Sequence, residues 1–169
     1  MAEKTNTSAV FLITGCSTGL GKELAIAALS AGFRVIATTQ RLETLSDLEN
    51  RSATTLPLNV TTSVEDLASF AVNAIAVQID FLINKAGFAQ GGVIEGVSPE
   101  ESMRQFNTNF FGLVNTTNTF LPHFRAWKAG TLVNISSQIT STAGIYCASK
   151  AAVDAVSDTW PHELAESGI

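Results

Sequence analysis

One stretch constrains the fold of this chain more than any other: Ala9-Val10-Phe11-Leu12-Ile13-Thr14-Gly15-Cys16-Ser17-Thr18-Gly19-Leu20-Gly21. It begins as a short apolar run, which reads as a strand buried on both faces. Three glycines follow at the spacing G-x-x-x-G-x-G. From Leu20 onward the apolar residues fall at Leu20, Leu24, Ala27, Ala28 and Ala31, the spacing of one helical face. A strand that turns through glycines into a helix gathers backbone N–H groups and the positive end of the helix dipole at one point. In a parallel sheet this first turn is the usual site for a dinucleotide pyrophosphate. Glycines there permit an unusual backbone and let ligand and helix come close. On the turn alone, a tight strand–helix connection with nothing bound stays open as an alternative. A phosphate loop of the G-x-x-x-x-G-K-[ST] form does not fit, because Glu23 stands where Ser or Thr belongs.

The rest of the chain repeats the alternation. Phe33–Thr38 reads as a second strand, Leu42–Asn50 as a second helix and Thr55–Val60 as a third strand. Thr62 with Glu65 forms a capping box that opens a helix running to about Val77. Asp80–Asn84 is a fourth strand ending toward Gly87. Ser98-Pro99-Glu100-Glu101 is a strong helix start, with Ser as the cap, Pro in the first position and Glu in the third. That helix is expected to reach about Phe120, before Pro122. Gly130–Ser136 holds a fifth strand, and the last helix starts near Tyr146. Pro161 inside that helix removes an amide donor and costs ~3 kcal/mol unless the helix kinks. Strands alternating with helices predict an α/β fold: a Rossmann-type, doubly wound parallel sheet in three α/β/α layers. No linker or repeat divides residues 1–169, which read as a single NAD(P)-binding domain.

Composition narrows the function classes. The hydrophobic share of 46% and charged share of 15% fit a globular protein. A net charge of -5 without a basic run leaves no footprint for nucleic acid. No apolar run approaches the ~20 residues of a membrane helix, and the first residues are polar, so neither a membrane nor a secreted location is expected. Cys16 and Cys147 fit neither a disulfide framework nor a metal cluster, which leaves free thiols in the cytoplasm as the expectation.

The end of the second strand bears on the cofactor. NAD sites often place an acid there for the ribose hydroxyls. Here the chain reads Thr38-Thr39-Gln40-Arg41, with no acid and one guanidinium. An Arg beside hydroxyls suits a ribose 2'-phosphate, so NADP(H) is favoured over NAD(H). The alternative for Arg41 is a solvated residue at a helix start.

Tyr146-Cys147-Ala148-Ser149-Lys150 places Tyr and Lys at i and i+4 on one helix face, Cβ atoms ~6 Å apart. A phenol with a pKa near ~10 is a poor acid–base catalyst at neutral pH. An ammonium beside it favours the phenolate and brings proton transfer within reach. A chance Tyr–Lys pair on a helix is the plain alternative. The pair does not stand alone, however. It follows Thr14-Gly15-x-x-x-Gly19-x-Gly21, Asn84-Lys85-Ala86-Gly87, Asn107-Thr108-Asn109-Phe110-Phe111-Gly112 and Asn134-Ile135-Ser136-Ser137. With these motifs in this order the chain resembles the short-chain dehydrogenases/reductases over nearly its whole length.

The resemblance implies hydride transfer between NADP(H) and a ketone or secondary alcohol. By it, Tyr146 exchanges a proton with the substrate oxygen. Lys150 lowers the pKa of Tyr146 and binds the nicotinamide ribose. Ser137 holds the substrate oxygen, with Ser136 the neighbouring candidate, and Asn109 kinks its helix and holds a water of the proton relay. Gly15, Ser17, Thr18, Gly19, Leu20 and Gly21 would surround the pyrophosphate, with Leu20 presenting its amide. Asn59 and Val60 would flank the adenine, the Asn59 amide oxygen accepting from its amino group. Asn84, through its backbone, with Ala86 and Gly87 would complete the cofactor contacts beside Arg41, Tyr146 and Lys150. The implied partner is a small-molecule carbonyl or alcohol, and the resemblance allows a homo-oligomer. The apolar cluster Phe88, Val93, Ile94 and Val97 hints at a lipophilic substrate, although packing explains it equally well.

Several positions depart from the family pattern. Asn59 stands where Asp is usual. Lys85 replaces the second Asn of Asn-Asn-Ala-Gly, whose side chain normally ties the central strands; a Lys there must find a carboxylate or reach water. Ser137 and Tyr146 are nine positions apart, where about a dozen or more is usual. The chain stops at Ile169, where the family would begin strand six, so the sheet is expected to lack the last strands and to leave strand five as an edge. The alternative function is therefore a truncated, non-catalytic dinucleotide-binding remnant. A Rossmann-like methyltransferase is weakened because it has no call for Tyr-x-x-x-Lys.

Overall fold

The structure, a computed structural model, describes residues 8–75, 77–137, 143–167 and 169. The apolar runs form β1 (Val10–Ile13), β2 (Arg34–Thr39), β3 (Thr54–Pro57), β4 (Phe81–Asn84) and β5 (Thr131–Asn134). They lie in one sheet of order β3-β2-β1-β4-β5, with every adjacent pair parallel. Leu12 and Leu82 on the central strands have no exposed surface, as expected for strands covered on both faces. The winding reverses between β1 and β4, which opens a crevice beyond their carboxyl ends.

Helices α1 (Gly19–Ser30) and α2 (Ser46–Asn50) cover one face. Ala25 of α1, Leu48 of α2 and Leu45 of the 3-10 turn just before α2 pack on Ile13, Val35 and Ile83. On the other face lie α3 (Val64–Ala74), α5 (Gly112–Trp127) and α6 (Gly144–Leu164). Ala71, Phe120 and Phe124 meet Val10, Leu12 and Leu82 there, and Leu113 and Leu121 of α5 pack on Val153 and Trp160 of α6. Helix α4 (Pro99–Phe106) leads into α5 through a π-turn at Asn107–Phe111. The three-layer α/β/α arrangement is the one expected from the alternation.

Local boundaries correct the sequence reading in four places. The cap of α3 is Ser63, not Thr62: the Ser63 hydroxyl accepts from the Asp66 amide, while Thr62 donates to the Asp66 carboxylate. Ser63-x-x-Asp66 has the same spacing as Thr62-x-x-Glu65 and starts the helix one residue later. The helix then ends at Ala74 rather than near Val77.

The helix opened by Ser98 carries the full capping box, but it does not stop before Pro122. After the π-turn it continues as α5 to Trp127. Pro122 and Asn118, whose carbonyl loses its donor, are both exposed, so water can satisfy that carbonyl. Buried Leu121 and Phe124 hold the next turn in place. Helix α6 starts at Gly144, before Tyr146, and runs through Pro161 in the same way, with exposed Pro161 between buried Trp160 and Leu164.

Candidate active site

The turn after β1 and the turn after β4 meet at the crevice. Gly15 has φ +74, a conformation open to glycine at little cost, and a Cβ there would lie 2.8 Å from the Ala86 Cα. Thr14 fastens the two turns: its Oγ1 accepts from the amides of Lys85 (3.0 Å) and Ala86 (2.9 Å). This role was missed by sequence reasoning, although Thr14 heads the glycine motif. Gly21 packs the first turn of α1 onto the strand end, since a Cβ there would meet the Gly15 carbonyl oxygen.

Between these turns and α4 lies an open cleft of about 1090 Å³. Gly15, Ser17 and Thr18 line it at the helix N-terminus, and Lys85, Ala86 and Gly87 line it from β4. Thr39, Gln40 and Arg41 form the wall at the end of β2, with Val60 and Thr61 beside them. Glycine-turn amides, a helix N-terminus, the cations Arg41, Lys85 and Arg104 and an apolar edge at Leu58 and Val60 together fit an adenine nucleotide with its pyrophosphate.

Not every expected contact lies on this wall. Gly19, Leu20 and Gly21 form the start of α1 beside it. Asn59 does not line it, and its Oδ1 is already spent. It accepts from the Thr61 amide and hydroxyl at 3.1 and 2.9 Å and from Gln40 Nε2 at 3.0 Å. The amide oxygen offered to adenine at the sequence level serves the turn after β3 instead.

Asn84 lies beneath the cleft, 3% exposed. Its Nδ2 donates to Thr117 of α5 and to Asn134 of β5, both at 2.9 Å, and Asn134 passes the chain on to Ser157 of α6. The backbone carbonyl of Asn84 accepts from Ile135 in the sheet. Asn84 thus ties β4 to the edge strand β5 and to α5, while the ends of the central strands β1 and β4 are joined by Thr14.

The remaining residues assemble behind the β4 turn. Asn109 is fully buried in the π-turn. Its side chain clamps Phe88, accepting from the amide and donating to the carbonyl at 3.0 Å each, and also donates to Ser149 of α6. Gln105, one turn earlier and equally buried, grips the same loop through Phe88 and Gln90. Gln105 left no signal in the sequence, being a polar residue on a helix that reads as amphipathic.

Lys150 Nζ donates to the Ile135 carbonyl at 2.5 Å, and Ser136 Oγ donates to the Lys150 carbonyl at 3.2 Å. The end of β5 is thus bonded twice to the helix residue that follows Tyr146 by one turn. A Cβ on Gly87 would lie 2.8 Å from Asn109 Oδ1 and 3.9 Å from Lys150 Nζ, so these two side chains stand directly behind the cleft wall. Ser137 and Tyr146 are half-buried at the two ends of the intervening connection, whose residues 138–142 lie outside the described residues.

Burial, reinforced by the charge of Lys85, holds the Lys150 ammonium below the ordinary lysine range, while Asp154 one turn on pulls the other way. Burial pushes the Cys16 thiol up to about 11, against hydrogen bonding from the Thr38 backbone and the charge of Lys85. The Gly87 backbone therefore separates the cleft, on one side, from the Asn109 and Lys150 side chains on the other.

Comparisons with known proteins point to one family and one fold. Residues 9–169 match the family described as short chain dehydrogenase. The chain is 38% identical to oxidoreductase claN of Passalora fulva, over 96% of this chain and 78% of that protein. It is 37% identical to a 3-ketodihydrosphingosine reductase of Bacteroides thetaiotaomicron, over 92% of this chain but 58% of that one. A short-chain dehydrogenase from Streptomyces avermitilis superposes with a TM-score of 0.89 at 35% identity, over 96% of this chain and 62% of the other. Several of the similar structures at 25% identity hold cofactors. A metagenomic short-chain oxidoreductase holds NADP (TM-score 0.87, 96% and 80% covered) and a Burkholderia phymatum relative holds NAD (TM-score 0.84, 95% and 62% covered).

Proposed function

The chain belongs to the short-chain dehydrogenase family, and on that premise we propose that it is an NADP(H)-dependent oxidoreductase acting on a ketone or secondary alcohol. The observation that carries this reading is the shared wall at Gly87. The nucleotide cleft lies on one side of it, and Asn109 and Lys150 lie on the other. A nicotinamide bound there supplies or accepts the hydride. The chain's own residues supply the rest. In reduction, Tyr146 gives its phenolic proton to the carbonyl oxygen and recovers one from solvent; in oxidation the proton runs the other way. Lys150, one helical turn on, stabilises the phenolate and hydrogen-bonds the nicotinamide ribose. Ser137 holds the substrate oxygen, because Ser136 is committed to the Lys150 backbone.

NADP(H) is preferred over NAD(H) because Arg41 lines the cleft at the end of β2 and no carboxylate stands beside it among Thr38, Thr39 and Gln40. A lipophilic substrate fits the exposed Val93 and Ile94, which lie where the loop after β4 meets the start of α6 at Gly144. The relative named for reduction of 3-ketodihydrosphingosine points the same way. The free, buried thiol of Cys16 suits a reducing compartment, so a tagged copy should appear in the cytosolic fraction.

The test is turnover. The purified chain should oxidise NADPH in the presence of a panel of lipophilic ketones. Tyr146→Phe should lose at least about a hundredfold in kcat, within the range of a lost general acid, while keeping its NADPH affinity. Cofactor binding without turnover on any ketone would overturn the enzyme reading in favour of a nucleotide-binding protein.

A further inference from the structure

Position 85 carries a cation where the family motif has an amide, and the structure gives that cation an unusual course. Lys85 is half-buried. Its stem passes beneath the glycine turn, so that a Cβ on Gly21 would lie 2.9 Å from Lys85 Cδ. Its ammonium ends 3.4 Å from the Gly15 carbonyl oxygen, and the residue lines the cleft with Gly15, Ser17 and Thr18. The sequence demanded a carboxylate or water for this group. The ion pairs among the described residues join Lys22 and Arg51 to Asp47, and neither involves Lys85. One long contact to a carbonyl leaves most of the ammonium's donor capacity unspent. Its charge also bears on Lys150 and Cys16 across the same turns. A half-buried cation beside a helix N-terminus and a ring of backbone amides calls for an anion.

We propose that the Lys85 ammonium is a ligand for the pyrophosphate of the bound dinucleotide, adding a side-chain charge to the amides of the glycine turn. The inference rests on the dinucleotide reading above. It goes beyond that reading by assigning to Lys85 a phosphate contact independent of Arg41, which serves the other end of the adenosine. Lys85 acts on binding and takes no proton from the substrate.

The experiment compares ADP-ribose, which carries a pyrophosphate, with adenosine, which carries none. Affinities are measured by calorimetry on the 169-residue chain and its variants. Lys85→Asn, which restores the family's residue, should weaken ADP-ribose roughly tenfold or more, as expected for a lost charge-assisted hydrogen bond. Adenosine should change by less than about twofold, since it makes no such bond. Lys85→Arg should retain ADP-ribose binding, and added salt should weaken ADP-ribose less steeply in Lys85→Asn than in the native chain. Lys85→Gln, with a longer stem to pack beneath Gly21, gives the same comparison if the Asn variant fails to fold. Equal affinity of native and Asn chains for ADP-ribose overturns the inference and leaves the dinucleotide reading intact. A loss shared equally by adenosine and ADP-ribose also overturns it, because Lys85 then only props the turn. A native chain that binds no ADP-ribose overturns both.

Discussion

Arg41 and Cys16 show how far single side chains decide behaviour here. The backbone of Arg41 is fixed by neighbours: its amide donates to Thr39 Oγ1, and its carbonyl accepts from Thr44. The guanidinium is exposed on the cleft wall, free to meet a 2'-phosphate. Arg41→Ala should therefore raise the Kd for NADPH about tenfold and that for NADH by less than about twofold, read by fluorescence titration. Equal losses for both would refute the NADP preference. Cys16 is fully buried, and its thiol lies at about 11 instead of the ordinary 9.0. The folded state thus keeps the proton longer than the unfolded state. The stability linked to this thiol is complete below pH 9 and is lost as pH rises through 11, by on the order of 2–3 kcal/mol. Cys16→Ala lacks that loss. Urea melts at pH 8 and pH 11 should show the native chain losing ground to the variant, with other titrating groups common to both cancelling in the difference. A pH-independent difference would refute this. The placement of some of these residues was legible in the motifs: Gly15 and Arg41 line the cleft, and Lys150 stands behind its Gly87 wall. Their hydrogen-bond partners were not, because an amide such as Asn59 or Asn84 has several competing donors and acceptors, and only the folded chain chooses among them.

At the scale of elements, capping chemistry and periodicity carried the reading well where one signal dominated. Ser98, Pro99 and Glu101 agree with one another, and α4 starts where they say. Ser98→Ala removes the side chain that accepts from the Glu101 amide and should cost about 1 kcal/mol. For a chain of this size that is a fall of about 2–4 °C in Tm, measurable by calorimetry. Where two signals competed, the local one failed. Thr62 and Ser63 offer the same spacing, and the sequence has no means to rank them. Pro122 argues for a helix end, but Phe120, Leu121 and Phe124 argue for continued burial, and their packing outweighs the ~3 kcal/mol that an interior proline costs. Pro122→Ala should consequently stabilise the chain by about 1–2 kcal/mol. The donor restored to the Asn118 carbonyl outweighs the smaller loss, under about 1 kcal/mol, from giving the unfolded chain back part of its freedom. An unchanged or lower Tm would mean that Pro122 is accommodated without loss.

For the whole molecule the question is whether the layers and the cleft act together. Two core clusters grip opposite faces of one sheet, and the central strands β1 and β4 belong to both. The turns that follow these two strands are also the ones joined by Thr14 and pressed together at Gly15 and Ala86. Opening the cleft therefore means separating the strands on which both clusters rest. On this argument residues 1–169 should unfold as a single domain in one calorimetric transition, with no separate melting of the nucleotide site. A ligand that binds the cleft in the folded state alone should then stabilise the entire chain. At a concentration of about 100 Kd the gain is ~2.7 kcal/mol, which for a chain of this length raises Tm by about 5–10 °C. Gly15→Ala tests the coupling directly. Its Cβ would collide with Ala86 and force an alanine to φ +74, so the unliganded Tm and the ligand-induced shift should both fall. If the variant loses the NADPH shift but keeps its unliganded Tm, the turn is local to the ligand and the layers do not depend on it. If both fall together, the turn that marks the sequence as nucleotide-binding is also the joint that holds the two halves of the sheet in register.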